Sequence, residues 1–127
     1  MRRESVVYSK AKSFAVRIVK LGRYLNEDMK EYILSRQIVR SGTSIGANIA
    51  EAMCGCSEKD FLNKAYISFK ECGETIYWLE LLKEGEYISR DQFDSLHADA
   101  IELHKMLSSI TKTLREKLNS RLLTPNS

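Results

Sequence analysis

Four stretches of this chain repeat apolar residues at intervals of three and four positions, and the single proline, Pro125, interrupts none of them. A period near 3.5 gathers such side chains onto one stripe of an α-helix, and a proline inside would cost about 3 kcal/mol. Val7, Ala11, Phe14, Ile18, Leu21 and Leu25 predict a helix over about 7–25. Leu34, Ile38, Ile45, Ile49 and Ala52 predict a second over about 29–54, with Asn26-Glu27-Asp28 supplying turn and capping chemistry. A third, about 58–84, carries Phe61, Ala65, Ser68, Cys72, Thr75, Leu79 and Leu82; a fourth, about 90–118, carries Phe93, Leu96, Ala100, Leu103, Leu107, Ile110 and Leu114. Ser57-Glu58-Lys59-Asp60 and Ser89-Arg90-Asp91-Gln92 have the form of capping boxes, and Gly85 stands where a helix would stop. Residues 119–127 read as a polar, disordered tail. Helices of similar length joined by short turns pack antiparallel to their neighbours. The expectation is one all-α domain over residues 1–127, an up-down-up-down antiparallel four-helix bundle.

The second segment carries a polar stripe, Gln37, Ser41, Ser44, Asn48 and Glu51, beside its apolar one. Gly42, Gly46, Ala47 and Ala50 add small residues that let another helix come close, although each glycine costs about 1 kcal/mol of helix propensity against alanine. On the third segment Glu71 and Glu74 lie one turn apart. Paired carboxylates serve acid–base catalysis, but Arg40, Ser41, Ser44 and Asn48 are suited to meet them across the bundle. Arg40, Ser41, Ser44, Asn48, Glu51, Glu71 and Glu74 therefore read as a structural polar network that fixes the register of two heptad seams. Leu62, Tyr66, Phe69, Ile76, Tyr77, Trp78 and Leu81 spread apolar surface around most of the third helix, more than one small bundle covers, which predicts self-association.

The net charge is +3, but both ends are basic and the middle acidic. Residues 1–25 hold seven bases against Glu4, residues 26–102 eight bases against fifteen acids, and residues 103–127 five bases against Glu116. On a helical wheel Lys12, Lys20 and Arg23 lie opposite the first seam, with Lys10 and Arg17 on a flank. Lys112, Arg115, Lys117 and Arg121 lie late in the fourth segment. First and last helices of a bundle can be neighbours, so these nine residues are the candidates for one positive face that attracts nucleic-acid phosphates without reading sequence. Tyr8 and Tyr24 are the aromatics available there for stacking on bases.

Catalytic chemistry is hard to assemble from the remaining residues. Cys54, Cys56 and Cys72 form no zinc-type CxxC pair and read as reduced small hydrophobes. Asp94-x-x-His97 is a weak analogue of a di-iron motif, but His104, the other histidine, lies seven residues, about 10 Å, further along the same helix. There is no phosphate-binding glycine loop and no GxSxG elbow. The residues predict no catalytic group, no metal and no cofactor. With no apolar run long enough to span a bilayer and no apolar leader block, they predict a cytoplasmic protein away from membranes.

Two blocks are distinctive: Arg40-Ser41-Gly42-Thr43-Ser44-Ile45-Gly46-Ala47-Asn48-Ile49-Ala50-Glu51-Ala52 and Lys70-Glu71-Cys72-Gly73-Glu74-Thr75-Ile76-Tyr77-Trp78-Leu79-Glu80-Leu81-Leu82. With Ser57-Glu58-Lys59-Asp60-Phe61 between them and Arg17-Ile18-Val19-Lys20-Leu21 before, the chain over residues 10–115 resembles the bacterial four-helix-bundle proteins encoded in 23S rRNA intervening sequences. More distantly it is similar to the accessory variability determinant proteins of diversity-generating retroelements, which bind nucleic acid and a reverse transcriptase. The resemblance implies a homopentameric ring of bundles with a basic surface and no enzymatic activity; by the distant analogy it implies RNA or DNA, and a reverse transcriptase, as partners. The blocks carrying the likeness are packing residues, so they speak to fold more than to function. The functional expectation is a non-enzymatic, oligomeric, nucleic-acid-associated scaffold, with a protein-binding adaptor as the competing reading.

Overall fold

The computed structural model describes residues 2–123, which form four α-helices: α1 (Arg2–Glu27), α2 (Ile33–Met53), α3 (Glu58–Glu84) and α4 (Arg90–Leu123). No strand occurs among the described residues. Each helix packs closely on two neighbours, and among the described residues no backbone comes near that of the diagonal helix, the α1–α4 seam being the lightest. Partner numbers fall in one helix as they rise in the next. Lys10 meets Glu102 while Arg17 meets Ser95 and Asp99; Ser41 meets Thr75 while Ile45 meets Ser68.

All six residues of the α1 stripe are buried, and so are Ile38, Ile45, Ile49 and Ala52 of α2. Leu34, Phe61 and Leu114 sit at the edge of this core, half-buried. The small residues of α2 do face a neighbour. A Cβ built on Gly42 would lie 2.8 Å from Ile18 Cγ2, and one on Gly46 would lie 3.6 Å from Ala11, so α1 and α2 approach closely along Ala11, Ile18 and Gly22.

The helix boundaries differ most from the expected ones at three points. α1 begins at Arg2 rather than near Val7, because residues 2–6 contain no helix breaker. α2 begins at Ile33, not at residue 29: Lys30 takes φ 54°, which ends the helical path, and the Glu31 carboxylate accepts the Ile33 and Ser35 N–H groups at 3.2 and 2.8 Å. Asn26-Glu27-Asp28 thus belongs to the end of α1 and not to the start of α2. α4 runs to Leu123, five residues beyond the expected end at 118, because nothing before Pro125 breaks it and Lys117 and Arg121 anchor it to Glu58 of α3. Residues 119–123 are therefore helix rather than tail; residues 124–127 lie outside the described residues.

The caps follow the local sequence. Ser57 accepts the Asp60 N–H at 3.1 Å. Ser89 and Gln92 bond reciprocally, at 2.7 and 3.1 Å. After α3 the Glu86 N–H donates to Lys83 O and the Tyr87 N–H to Leu82 O, a Schellman closure whose left-handed residue is Glu86 (φ 67°) and not the neighbouring Gly85.

Candidate nucleic-acid interface and the polar seam behind it

Hydroxyls at seam positions join α2 to α3. Ser68 Oγ donates to the Ile45 carbonyl at 2.8 Å, and Thr75 Oγ1 lies 2.8 Å from Ser41 Oγ and 2.8 Å from the Glu71 carbonyl, with Ser41, Ser68 and Thr75 all fully buried. Every buried side-chain nitrogen and oxygen among the described residues has a partner, as burial demands. Outside this layer the Arg40 guanidinium donates to Glu71 at 3.0 Å and to Glu74, and the Trp78 indole N–H donates to Glu74 at 2.9 Å. The Trp78 hydrogen bond and then Arg40 hold the Glu74 carboxyl below the usual carboxylate range. Glu74, foremost among the causes, raises the Arg40 guanidinium in return.

Of the seven residues expected in this network, the structure brings together Arg40, Glu71 and Glu74, with Ser41 reaching α3 through Thr75. Ser44 and Asn48 do not cross. Their side chains donate back to the carbonyls of Arg40 and Ser44 on their own helix, four residues earlier. Glu51 pairs instead with Lys64 at 2.8 Å, near the far end of α2. Ser68 and Thr75, which carry the buried bonds, were visible in the sequence only as polar residues on an apolar seam. Both acids on α3 are occupied by Arg40, so their geometry is that of a clamp between helices.

The nine candidate bases separate into three kinds. Lys10 is ion-paired with Glu102 at 3.0 Å and Arg17 with Asp99 at 2.6 Å, both across the α1–α4 seam. Lys117 and Arg121 hold Glu58, whose carboxyl these two hydrogen bonds pull below its ordinary range. Arg115 lies over the Tyr66 ring, 5.4 Å from its centroid. Lys12, Lys20, Arg23 and Lys112 are exposed and have no ion-pair partner among the described residues.

These last four do not form one face. The α1–α4 register sets Lys20 beside the level of Gln92, about 30 Å along α4 from Lys112, because α4 overhangs the start of α1. What forms instead is a surface of α1 and α2 together. Lys12, Lys20 and Arg23 stand on the outer side of α1 with exposed Val16 and Val19, and a groove beside them is lined by Val19, Gly22, Arg23, Tyr32, Val39 and the exposed Arg36, with Arg40 at its margin. Arg36 was not singled out from the sequence, since only the close approach of the two helices sets it near Arg23. Tyr8 and Tyr24 are half-buried against the core; Tyr32, 55% exposed, is the aromatic side chain this surface offers.

The remaining reactive groups are built into packing. His97 stacks on Phe93 and His104 on Phe69, with centroids 4.7 and 4.4 Å apart, and burial lowers the His104 pKa. No group of three His, Cys, Asp or Glu side chains among the described residues is placed to hold a metal ion. Cys72 donates to the Ala100 carbonyl at 3.3 Å, and burial pushes its thiol up to about 12, which keeps it protonated and unreactive at neutral pH. No helix among the described residues is long and apolar enough to cross a membrane.

Comparison with known proteins matches this architecture to one group. The family model described as 23S rRNA-intervening sequence protein matches residues 3–109. A crystal structure of a protein of unknown function from the S23 ribosomal protein family of Bacteroides thetaiotaomicron is 52% identical, covers 87% of this chain and 98% of its own, and superposes with a TM-score of 0.85. A search of curated proteins finds no match.

Proposed function

This chain belongs to the 23S rRNA-intervening sequence protein family, and from that premise we propose that it is a non-enzymatic, cytoplasmic, oligomeric scaffold that holds RNA or DNA by its phosphate backbone. The observation that carries the proposal is the outer surface of α1 and α2, where Lys12, Lys20, Arg23 and Arg36 are exposed and unneutralised while other bases of α1, Lys10 and Arg17, are committed to α4. A chain with a net charge of only +3 that nevertheless leaves four bases together on one surface presents a local field favourable to a polyanion. The contacts descending along each helix pair support an up-down-up-down topology, which sets this surface on the side of α1 and α2 away from the core.

Self-association multiplies that field. α3 leaves Tyr66, Ile67 and Tyr77 between 41% and 52% exposed, and covering these with further copies removes apolar area from water while repeating the basic surface around a ring. A pentamer is the assembly that the family resemblance favours. Fluorescence anisotropy with labelled single-stranded RNA and DNA tests the reading. Binding is expected at low salt and weakens as salt rises, with a log–log slope that becomes shallower by about 0.7 for each phosphate contact removed. The triple charge reversal Lys12→Glu, Lys20→Glu, Arg23→Glu is expected to abolish binding while leaving the circular dichroism spectrum intact. Absence of binding by the unaltered protein at low salt would refute the proposal and leave the exposed face of α3 as a protein-docking surface.

A further inference from the structure

We infer that the groove between α1 and α2 receives an unpaired base of a single-stranded nucleic acid, stacked on Tyr32, with Arg23 and Arg36 on its flanking phosphates. The inference rests on the nucleic-acid reading and narrows it from backbone binding in general to single strands.

Three features of the groove lead to it. The first is its floor. Val19 and Val39 supply apolar surface, and Gly22 is buried against α2, where a Cβ would stand 2.5 Å from Val39 Cγ2. Because residue 22 has no side chain, Val39 of α2 packs directly against α1 there and forms the floor with it. The volume of the groove, about 530 Å³, falls in the range of small-ligand sites and admits a single nucleotide but not a duplex, whose bases are already stacked inward. The second is the charge around it. Arg23 and Arg36 are exposed, carry no ion pair among the described residues, and come one from each helix; no acidic side chain lines the groove. Arg40, also at the margin, is held by Glu71 and Glu74 and marks the side on which the positive surface ends.

The third is Tyr32 itself. It occupies the N-cap of α2, yet its side chain makes no capping hydrogen bond, that role being filled by Glu31, and it remains 55% exposed. A tyrosine that neither caps its helix nor fills the core is available as a stacking platform. Aromatic side chains flanked by arginines hold single strands in this way, since every base offers a π-face whereas sequence readout needs hydrogen bonds at base edges.

The test compares fluorescein-labelled rU12 and dT12 with a 12-base-pair DNA duplex, on the full chain at one salt concentration. Tyr32→Ala is expected to weaken both single strands by about 5- to 150-fold, the range that loss of one stacked base produces, and to leave duplex binding unchanged. Tyr32→Phe is expected to restore the single-strand affinity, and Arg36→Glu to weaken single strands and duplex alike. Ultraviolet crosslinking of an oligonucleotide carrying one 5-iodouridine should attach to the peptide containing Tyr32. If the unaltered protein binds single strands but Tyr32→Ala binds them equally well, or loses duplex in the same proportion, this inference fails while backbone binding stands. If the unaltered protein binds no nucleic acid at all, both fail together.

Discussion

Gly42 and Gly46 lie one turn apart in α2, both buried against α1, yet alanine at the two positions should move stability in opposite directions. Each substitution removes a glycine from a helix interior, which by itself stabilises by about 1 kcal/mol. At Gly46 the new methyl group would sit 3.6 Å from Ala11, an ordinary van der Waals distance, so the full gain should be kept. At Gly42 it would sit 2.8, 3.0 and 3.2 Å from Cγ2, Cγ1 and Cβ of Ile18, a fully buried side chain that cannot rotate away without moving α1. Overpacking of that kind costs about 1–3 kcal/mol, which outweighs the propensity gain and leaves a net loss of about 1 kcal/mol. An unfolding entropy of about 0.27 kcal/mol/K for 127 residues converts each kilocalorie into about 4 °C. Thermal melts followed by circular dichroism at 222 nm, at one protomer concentration because assembly shifts Tm, should place Gly46→Ala about 4 °C above the unaltered protein and Gly42→Ala about 4 °C below it. Equal shifts, or a Gly42→Ala variant more stable than Gly46→Ala, would refute the claim that the α1–α2 spacing is set by the fit of Ile18 over Gly42.

Three further outcomes follow from the packing. Thr75→Val should cost about 1 kcal/mol by leaving the buried Ser41 hydroxyl only its long 3.4 Å bond to the Ile38 carbonyl, while Thr75→Val with Ser41→Ala should cost less than the two single changes combined, by about 0.5–1 kcal/mol in a denaturant-melt double-mutant cycle. Glu74, depressed in the folded state, contributes stability that is present above its unfolded pKa near 4.5 and is lost as pH falls through its folded value. Melting midpoints should therefore drop less between pH 6 and pH 3 in Glu74→Gln than in the unaltered protein, and an equal drop would show that the Trp78 and Arg40 contacts do not favour the ionised form. Ellman's reagent should titrate two thiols at once, the exposed Cys54 and Cys56, and reach Cys72 only in denaturant. Rapid reaction of all three would mean that α3 and α4 part readily around Ala100.

The sequence by itself determined the four helices and their inner faces, because a three-four repeat of apolar residues is a statement about one helix and needs no knowledge of its neighbours. Val7 to Leu25 and Phe93 to Ile110 could thus be assigned to the core one position at a time, and Ser57 and Ser89 could be assigned as caps from the three residues after each. Tertiary structure decided what depends on distances between helices. The helical wheel sets Lys10 on a flank and Lys12 outside, but only the register of α1 on α4 brings Lys10 to the Glu102 carboxylate and leaves Lys12 without an ion-pair partner. Nothing local distinguishes Ser44 from Ser41, but the rotation of α2 against α3 turns Ser41 toward Thr75 and leaves Ser44 to bond its own helix. The groove beside Tyr32 belongs to neither helix alone: Val39 of α2 packs against Gly22 of α1, and that packing is what puts Arg23 of one helix and Arg36 of the other along one cleft.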